Sequence, residues 1–299
     1  MPINTGNFGE LLEPGLFKIF GDEYPKHPEE WVQSGFEVRN STKLTEHSLN
    51  ITGLGLMTEK GQGQGVTYDT MYQGAKHSVT HTTYGLGVII TEEMYEFDQY
   101  DRINQAPAML ARSAAYTLNI ITANVLNRAF NASYTGGDGK VLCATDHVLY
   151  RGGGSFKNRP TNHADLSPTS FEQAMIDIGD YVDDAGNVFP VMAKKLVIAN
   201  ENDWAATTLL YSTLDPDTAN NAVNPAKGRV PYFINHFLTD PDAWFIITDV
   251  PNGLIFHINK RPKFTRDNDF DSENAKFKVV ARGVPTWDDP RAVYGNAGA

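Results

Sequence analysis

The strongest pattern in the chain lies between residues 101 and 130. There Ile103, Ala106, Leu110, Ala114, Leu118, Ile121 and Val125 recur at spacings of three and four. One apolar stripe on a 3.6-residue period predicts an amphipathic helix, about 38 Å long for roughly twenty-five residues at 1.5 Å each. Pro107 either belongs to its first turn or kinks it, and Gly136 and Gly137 stop it. A second helix is predicted after Ser167, which caps it, with Pro168 at its first position and Phe171, Met175, Ile178 and Val182 on its inner face. A short third helix follows at 201–212, and TEEM at 91–94, with Thr91 as cap, reads as another helix start.

Elsewhere the period is two. Leu49 and Ile51 share a face, as do Val66, Tyr68, Thr70 and Tyr72, and then Leu86, Val88 and Ile90. Between the first two runs, GLGLMTEKGQGQG holds five glycines in thirteen residues, which predicts a mobile hairpin tip. It lacks the GK[ST] ending of a phosphate loop and joins strand to strand. AKKLVIAN at 193–200 reads as a buried strand. VPYFINHFL, AWFIITDV, LIFHINKRPKF and FDSENAKFKVVARGVPTW continue the strands between Asp-Pro and Pro-Asn-Gly turns. Residues 138–165 and 213–228 read as polar loops. Residues 1–43 scatter Phe8, Phe17, Phe20, Tyr24 and Trp31 among four prolines without a period, which predicts an arm that orders on a neighbouring subunit. Strands and helices do not alternate regularly, so the fold class is α+β.

Composition narrows the function. Of 299 residues, 41% are apolar and 20% charged, enough for a sizeable core. The net charge of -11 argues against a sequence-independent grip on nucleic acid. No apolar run approaches the ~18 residues that cross a bilayer, and the first residues lack a charged-then-apolar leader, so a soluble, intracellularly made protein is expected. Cys143 is the one cysteine, which excludes an internal disulfide. Its neighbours Asp146 and His147 invite a thiol-hydrolase reading, yet sequence neighbours rarely reach catalytic geometry. His77 and His81 have a metal-ligand spacing on a helix, but their surroundings favour a strand. DNDFDSE at 267–273 resembles a calcium loop with serine where glycine is needed, and a hairpin turn explains it. Lys260, Arg261, Lys263 and Arg266 form a basic cluster expected to pair with acidic neighbours. No catalytic, cofactor or metal constellation emerges.

The order of elements resembles the major capsid protein of tailed double-stranded DNA bacteriophages. YGLGVIITEEM leading into the long helix carries the likeness, with LCATDH, DLSPTSFEQAM, KKLVIANENDWAATTLLYS and the ending DAWFIITDVPNGLIFHI…RPKFTRDNDFDSENAKFKVVARG. The resemblance implies a shell subunit with an N-terminal arm (1–43), an extended loop (44–84), a peripheral domain with a spine helix (85–185), an axial domain (186–252) and a return to the peripheral domain (253–299). It implies assembly with itself into hexamers and pentamers in the host bacterial cytoplasm. The resulting virion capsid encloses DNA without sequence-specific binding and has no membrane partner. A portal, a separate scaffold and a decoration protein are the implied companions. The expected assembly contacts are Phe8, Phe17, Phe20, Trp31, Lys60, Gly61, Gly63, Gly65, Tyr68 and Tyr72. Lys60 lies where some members carry a crosslinking lysine, but no asparagine is singled out for that reaction. The alternatives are an encapsulin-type nanocompartment shell and, from another class, a Cys- or metal-dependent hydrolase.

Overall fold

A computed structural model describes residues 9–91, 102–214, 222–268 and 274–299. Helices α1 (Gly9–Glu23) and α2 (Glu30–Gln33) precede strands β1 (Glu37–Asn40), β2 (Thr45–Ile51), β3 (Gln73–Thr80) and β4 (Thr82–Ile90). Helix α3 (Arg102–Asn127), short strands β5 (His147–Val148) and β6 (Ser155–Phe156), and helix α4 (Pro168–Gly179) follow. Then come β7 (Ala193–Ile198), α5 (Asp203–Tyr211), β8 (Tyr232–Ile234), β9 (Trp244–Thr248), β10 (Leu254–Asn268), β11 (Ala275–Trp287) and β12 (Val293–Asn296).

The predicted stripe buries Ala106, Leu110, Ala114, Leu118 and Val125 of α3. Its 26 residues make a rod of about 39 Å, with Pro107 inside it. The helix lies along a sheet in the order β1-β10-β11-β4. In β11, Phe277, Val279 and Ala281 turn inward and Lys276, Lys278 and Arg282 outward, the alternation of a sheet covered on one face. A second sheet, β12-β9-β7-β8, has Trp244 to Thr248 of β9 buried on both faces. Ser167 and Ser170 bond reciprocally at the start of α4, closing the cap read from the sequence.

Several expectations change. Residues 9–23 are helical, not aperiodic: Leu16, Ile19 and Phe20 recur at i, i+3 and i+4 and dock on Leu110, Phe264 and Phe277. Trp31 is 2% exposed and packs edge-on to Phe256 at 5.2 Å. Phe20 and Trp31 therefore belong to the chain's own core and offer no free aromatic surface. Phe17 stays partly exposed beside Phe264, and Phe8 lies outside the described residues. Val66 to Tyr72 form no strand, because the β2–β3 ladder ends at Ile51 opposite Gln73 and is not continued beyond it. Residues 138–165 are not a solvated loop: Leu142, Cys143, Phe156 and Asn158 are buried in the core. The segment 253–299 divides, with β10 and β11 in the first sheet and β12 paired to β9 in the second. The helix start at 92–94 and most of the acidic turn at 267–273 lie outside the described residues.

Candidate assembly surface

In 44–72 the exposed apolar side chains are concentrated. Leu44, Leu49, Ile51, Leu54, Leu56, Val66, Met71 and Tyr72 all face solvent, Tyr68 is 91% exposed and Met57 fully so. A two-stranded ribbon has no second layer to bury such residues, and its register is held by Thr45 opposite Thr80 through Leu49 opposite Lys76. Beyond the ladder, the Thr52 amide donates to the Tyr72 carbonyl at 3.0 Å and the Tyr72 amide to Thr52 Oγ1 at 2.9 Å.

Arg151 clips the stem. Its guanidinium donates to both Asp69 carboxylate oxygens at 2.5 Å and to the Gly53 carbonyl at 2.8 Å. The Arg151 hydrogen bond, with amides of Gly55 and Thr70 behind it, holds the Asp69 carboxyl at a pKa of about 2. At the tip, the Gln64 amide closes a turn on the Gly61 carbonyl at 3.1 Å. Gly63 takes φ +82°, a left-handed conformation that a side chain would strain, whereas Gly61 and Gly65 do not. Lys60, Gly61, Gly63, Gly65, Tyr68 and Tyr72 thus sit together on this projection, separate from Phe17, Phe20 and Trp31. The Asp69–Arg151 clip was invisible in sequence, since 82 residues separate the two and no motif joins them.

Further apolar exposure marks α3 at Met109 and Ile120, β4 at Leu86 and Ile89, and α5 at Trp204 and Tyr211. The chain exposes 17255 Å², against about 12,500 Å² for a compact monomer of its mass. Surface of this kind and extent marks contact with other molecules.

The residues weighed for chemistry have structural partners. Cys143 is fully buried, burial pushes its thiol pKa well up, and His147 turns away to Asp138 at 2.7 Å and Asn158 at 3.1 Å. Asp146 pairs with Lys140. His77 meets the Trp287 carbonyl at 3.2 Å, and buried His81 lies 3.2 Å from Ser41 Oγ and 3.6 Å from Glu46. Among the described residues no group of His, Cys, Asp or Glu is placed to hold a metal, and no helix is long and apolar enough to cross a membrane.

A family profile described as phage capsid protein matches residues 75–296. The chain belongs to the phage capsid protein family. It is a major capsid subunit, a structural component of an icosahedral head, and its work is not catalytic. Solved capsids share the fold. The capsid of the native GTA particle superposes with a TM-score of 0.55 at 12% identity, over 91% of each chain. The structure from Mycobacterium phage Patience gives 0.54 at 8% identity, over 99% of this chain and 89% of that one. The procapsid of bacteriophage JBD30 gives 0.52 at 16% identity, over 99% and 77%. A comparison with curated proteins finds no match.

Proposed function

We propose that this capsid subunit forms hexamers and pentamers in which the 44–72 projection lies on a neighbouring copy. The observation that carries this is the run of exposed apolar side chains from Leu44 to Tyr72 on a ribbon with no layer of its own to cover them. A neighbour's surface removes that area from water, which stabilises by about 25 cal/mol per Å² buried. The Arg151 clip fixes the stem, while Gly63 lets the tip follow the different curvatures of five-fold and six-fold rings. Phe17 at the α1 surface is a second contact of the same kind. The head is built in the host cytoplasm on a separate scaffold and a portal, takes a decoration protein outside, and encloses DNA without reading its sequence.

Electron microscopy of the chain expressed alone and with its phage's scaffold tests this. Closed shells of rings of five and six, lost when Leu54, Leu56, Met57 and Tyr68 become serine, are the expected result. A discrete soluble oligomer from the unaltered chain under all conditions would overturn it. Shells that enclose a protein cargo when made without any phage component would favour the nanocompartment alternative.

A further inference from the structure

The distal half of the β10–β11 hairpin is covered on one face and bare on the other. Its inner face, Phe264, Phe277, Val279 and Ala275, packs under α1 and the start of α3 with Leu16, Phe20 and Leu110. Residues directly opposite in an antiparallel pair share a face, so the register defines what the bare side shows. Lys260 stands opposite Arg282, Lys263 opposite Val280, Thr265 opposite Lys278 and Asp267 opposite Lys276. On the other flank, β4 sets Thr83, Gly85, Gly87 and Ile89 against Arg282, Val280, Lys278 and Lys276. Five cations and one carboxylate thus occupy a single flat face, with two glycines beside the lysine row and exposed Ile89 at its rim.

Lys260, Lys263, Lys278 and Arg282 are all exposed, and among the described residues none forms an ion pair. The only polar partner of Arg282 among those residues is Thr83 Oγ1, at 2.8 Å. The sequence reading expected the basic cluster to pair with acidic neighbours. Arg261 does approach Glu29, at 3.9 Å, but it lies off this face. Outside the face the chain carries 35 acidic and 20 basic residues. A cationic sheet face is therefore built into an otherwise strongly anionic molecule.

We propose that this face is a docking surface for a second copy of the chain, which presents carboxylates to it. The inference rests on the capsid-subunit reading and deepens it. Charge complementarity chooses the occupant. Another copy carries an excess of carboxylates outside this face and is attracted, whereas DNA approaching the face meets the repulsion of the same excess. The contact is heterologous, since a cationic patch cannot face itself across a two-fold axis, and heterologous contacts are the kind that build rings. The glycines at 85 and 87 keep the sheet low beside the lysines, so a partner's carboxylates reach them without obstruction. Ile89 supplies an apolar edge that can be buried at the same time.

The test uses the full chain with K263E/K278E/R282E, the neutral set K263Q/K278Q/R282Q and the charge-keeping set K263R/K278R/R282K. Shell formation is followed by light scattering and microscopy between roughly 0.05 and 0.5 M salt, where screening shortens the range of such contacts from about 14 to 4 Å. Expected are wild-type assembly that weakens as salt rises, normal shells from the charge-keeping set, at least tenfold lower yield from the neutral set, and none from the reversed set. Circular dichroism confirms that the subunits are folded, and the neutral set decides if the reversed one is not. Normal yield and salt dependence from the neutral or reversed set would overturn the proposal. A second arm titrates a DNA duplex with wild-type subunits. Binding whose logarithm falls with log salt at about -0.9 per phosphate contact, abolished by the reversal while shells still form, would assign the face to DNA and overturn it too. Failure of the wild-type chain to form shells at any salt, with its phage's scaffold present, would instead count against the ring assembly proposed for this subunit.

Discussion

Replacing Asn158 with alanine tests whether one buried amide ties the 142–158 segment to β12. Its Nδ2 donates to the carbonyls of Leu142 at 2.7 Å and of Pro290 and Val293 at 2.9 Å. Its Oδ1 accepts from the Ala144 amide at 2.8 Å and lies 3.1 Å from His147 Nε2. Its backbone accepts from the Gly295 amide at 3.0 Å, so the 142–158 segment is tied to β12 at several points. Asn158 has no solvent exposure, so water does not replace these partners. Each orphaned buried group costs about 1–3 kcal/mol. With the Ala144 amide and at least one carbonyl stranded, and a small cavity added, the loss comes to about 4 kcal/mol. Set against a typical stability of about 5–15 kcal/mol, that is a large fraction. At about 2–4 °C per kcal/mol for a chain of this size, unfolding followed by circular dichroism shifts down by roughly 10 °C. Asn158→Asp sharpens the test, because a carboxylate would face three carbonyls with no proton to give. Its folded pKa is raised, the folded state binds the proton more tightly, and the variant gains stability as pH falls from 7 towards about 4. An Asn158→Ala protein that unfolds within about 2 °C of wild type would refute the reasoning.

Other outcomes follow from the same contacts. The native Cys143 thiol reacts with a maleimide at least a hundredfold more slowly at pH 8 than in denaturant, because burial raises its pKa and blocks access; equal rates would contradict its placement. Asp69→Asn loosens the stem of the projection, so trypsin cuts after Lys60 several-fold faster. In the wild type the clip itself persists from pH 7 to about 4, the depressed carboxyl losing its contribution only as pH falls through about 2, and the Arg151 guanidinium NMR signals followed over that range check it. Deleting residues 1–23 uncovers Phe264, Phe277 and Leu110 and produces fluorescence with an apolar dye at neutral pH; no increase would show that α1 does not cover them. Gly295→Ala would place a methyl carbon 2.5 Å from Cys143 Sγ and 3.1 Å from both Phe130 and Phe245, and lowers the soluble yield of folded protein.

Where the sequence could be read, burial and periodicity agreed. Helix α3 shows itself because every inward residue is apolar and one turn apart, and β9 because Trp244 to Ile247 form an unbroken apolar run. The readings failed where polarity and exposure part company. Residues 138–165 look solvated, yet Asn158, His147 and Asp138 are polar groups satisfied inside the core. Val66, Tyr68 and Tyr72 alternate as a strand should, but a strand also needs a backbone ladder, and beside them the described contacts run mainly through the side chains of Thr52, Thr58, Thr67 and Asp69. In α1, Leu16 and Phe20 held a helical spacing that Pro14 and the surrounding glycines obscured. The glycine-tipped projection was legible, its tip turning at Gly61 to Gln64. Its cationic counterpart was not, because Lys260, Lys263, Lys278 and Arg282 share a face only once β10 and β11 pair.

That pairing scheme also sets a timetable. Strand β1 lies parallel to β10, with Asn259 reaching the Ser41 carbonyl across 218 residues, and β9 waits for β12 to form its outer neighbour. The first sheet cannot be completed on the ribosome until residue 287 has left the exit tunnel, nor the second until residue 296 has. Closing such distant contacts is slow, and unfinished edges are exposed meanwhile. A nascent subunit therefore has neither main sheet to offer its siblings before those residues emerge, and the long reach of its strands delays the onset of polymerisation until then.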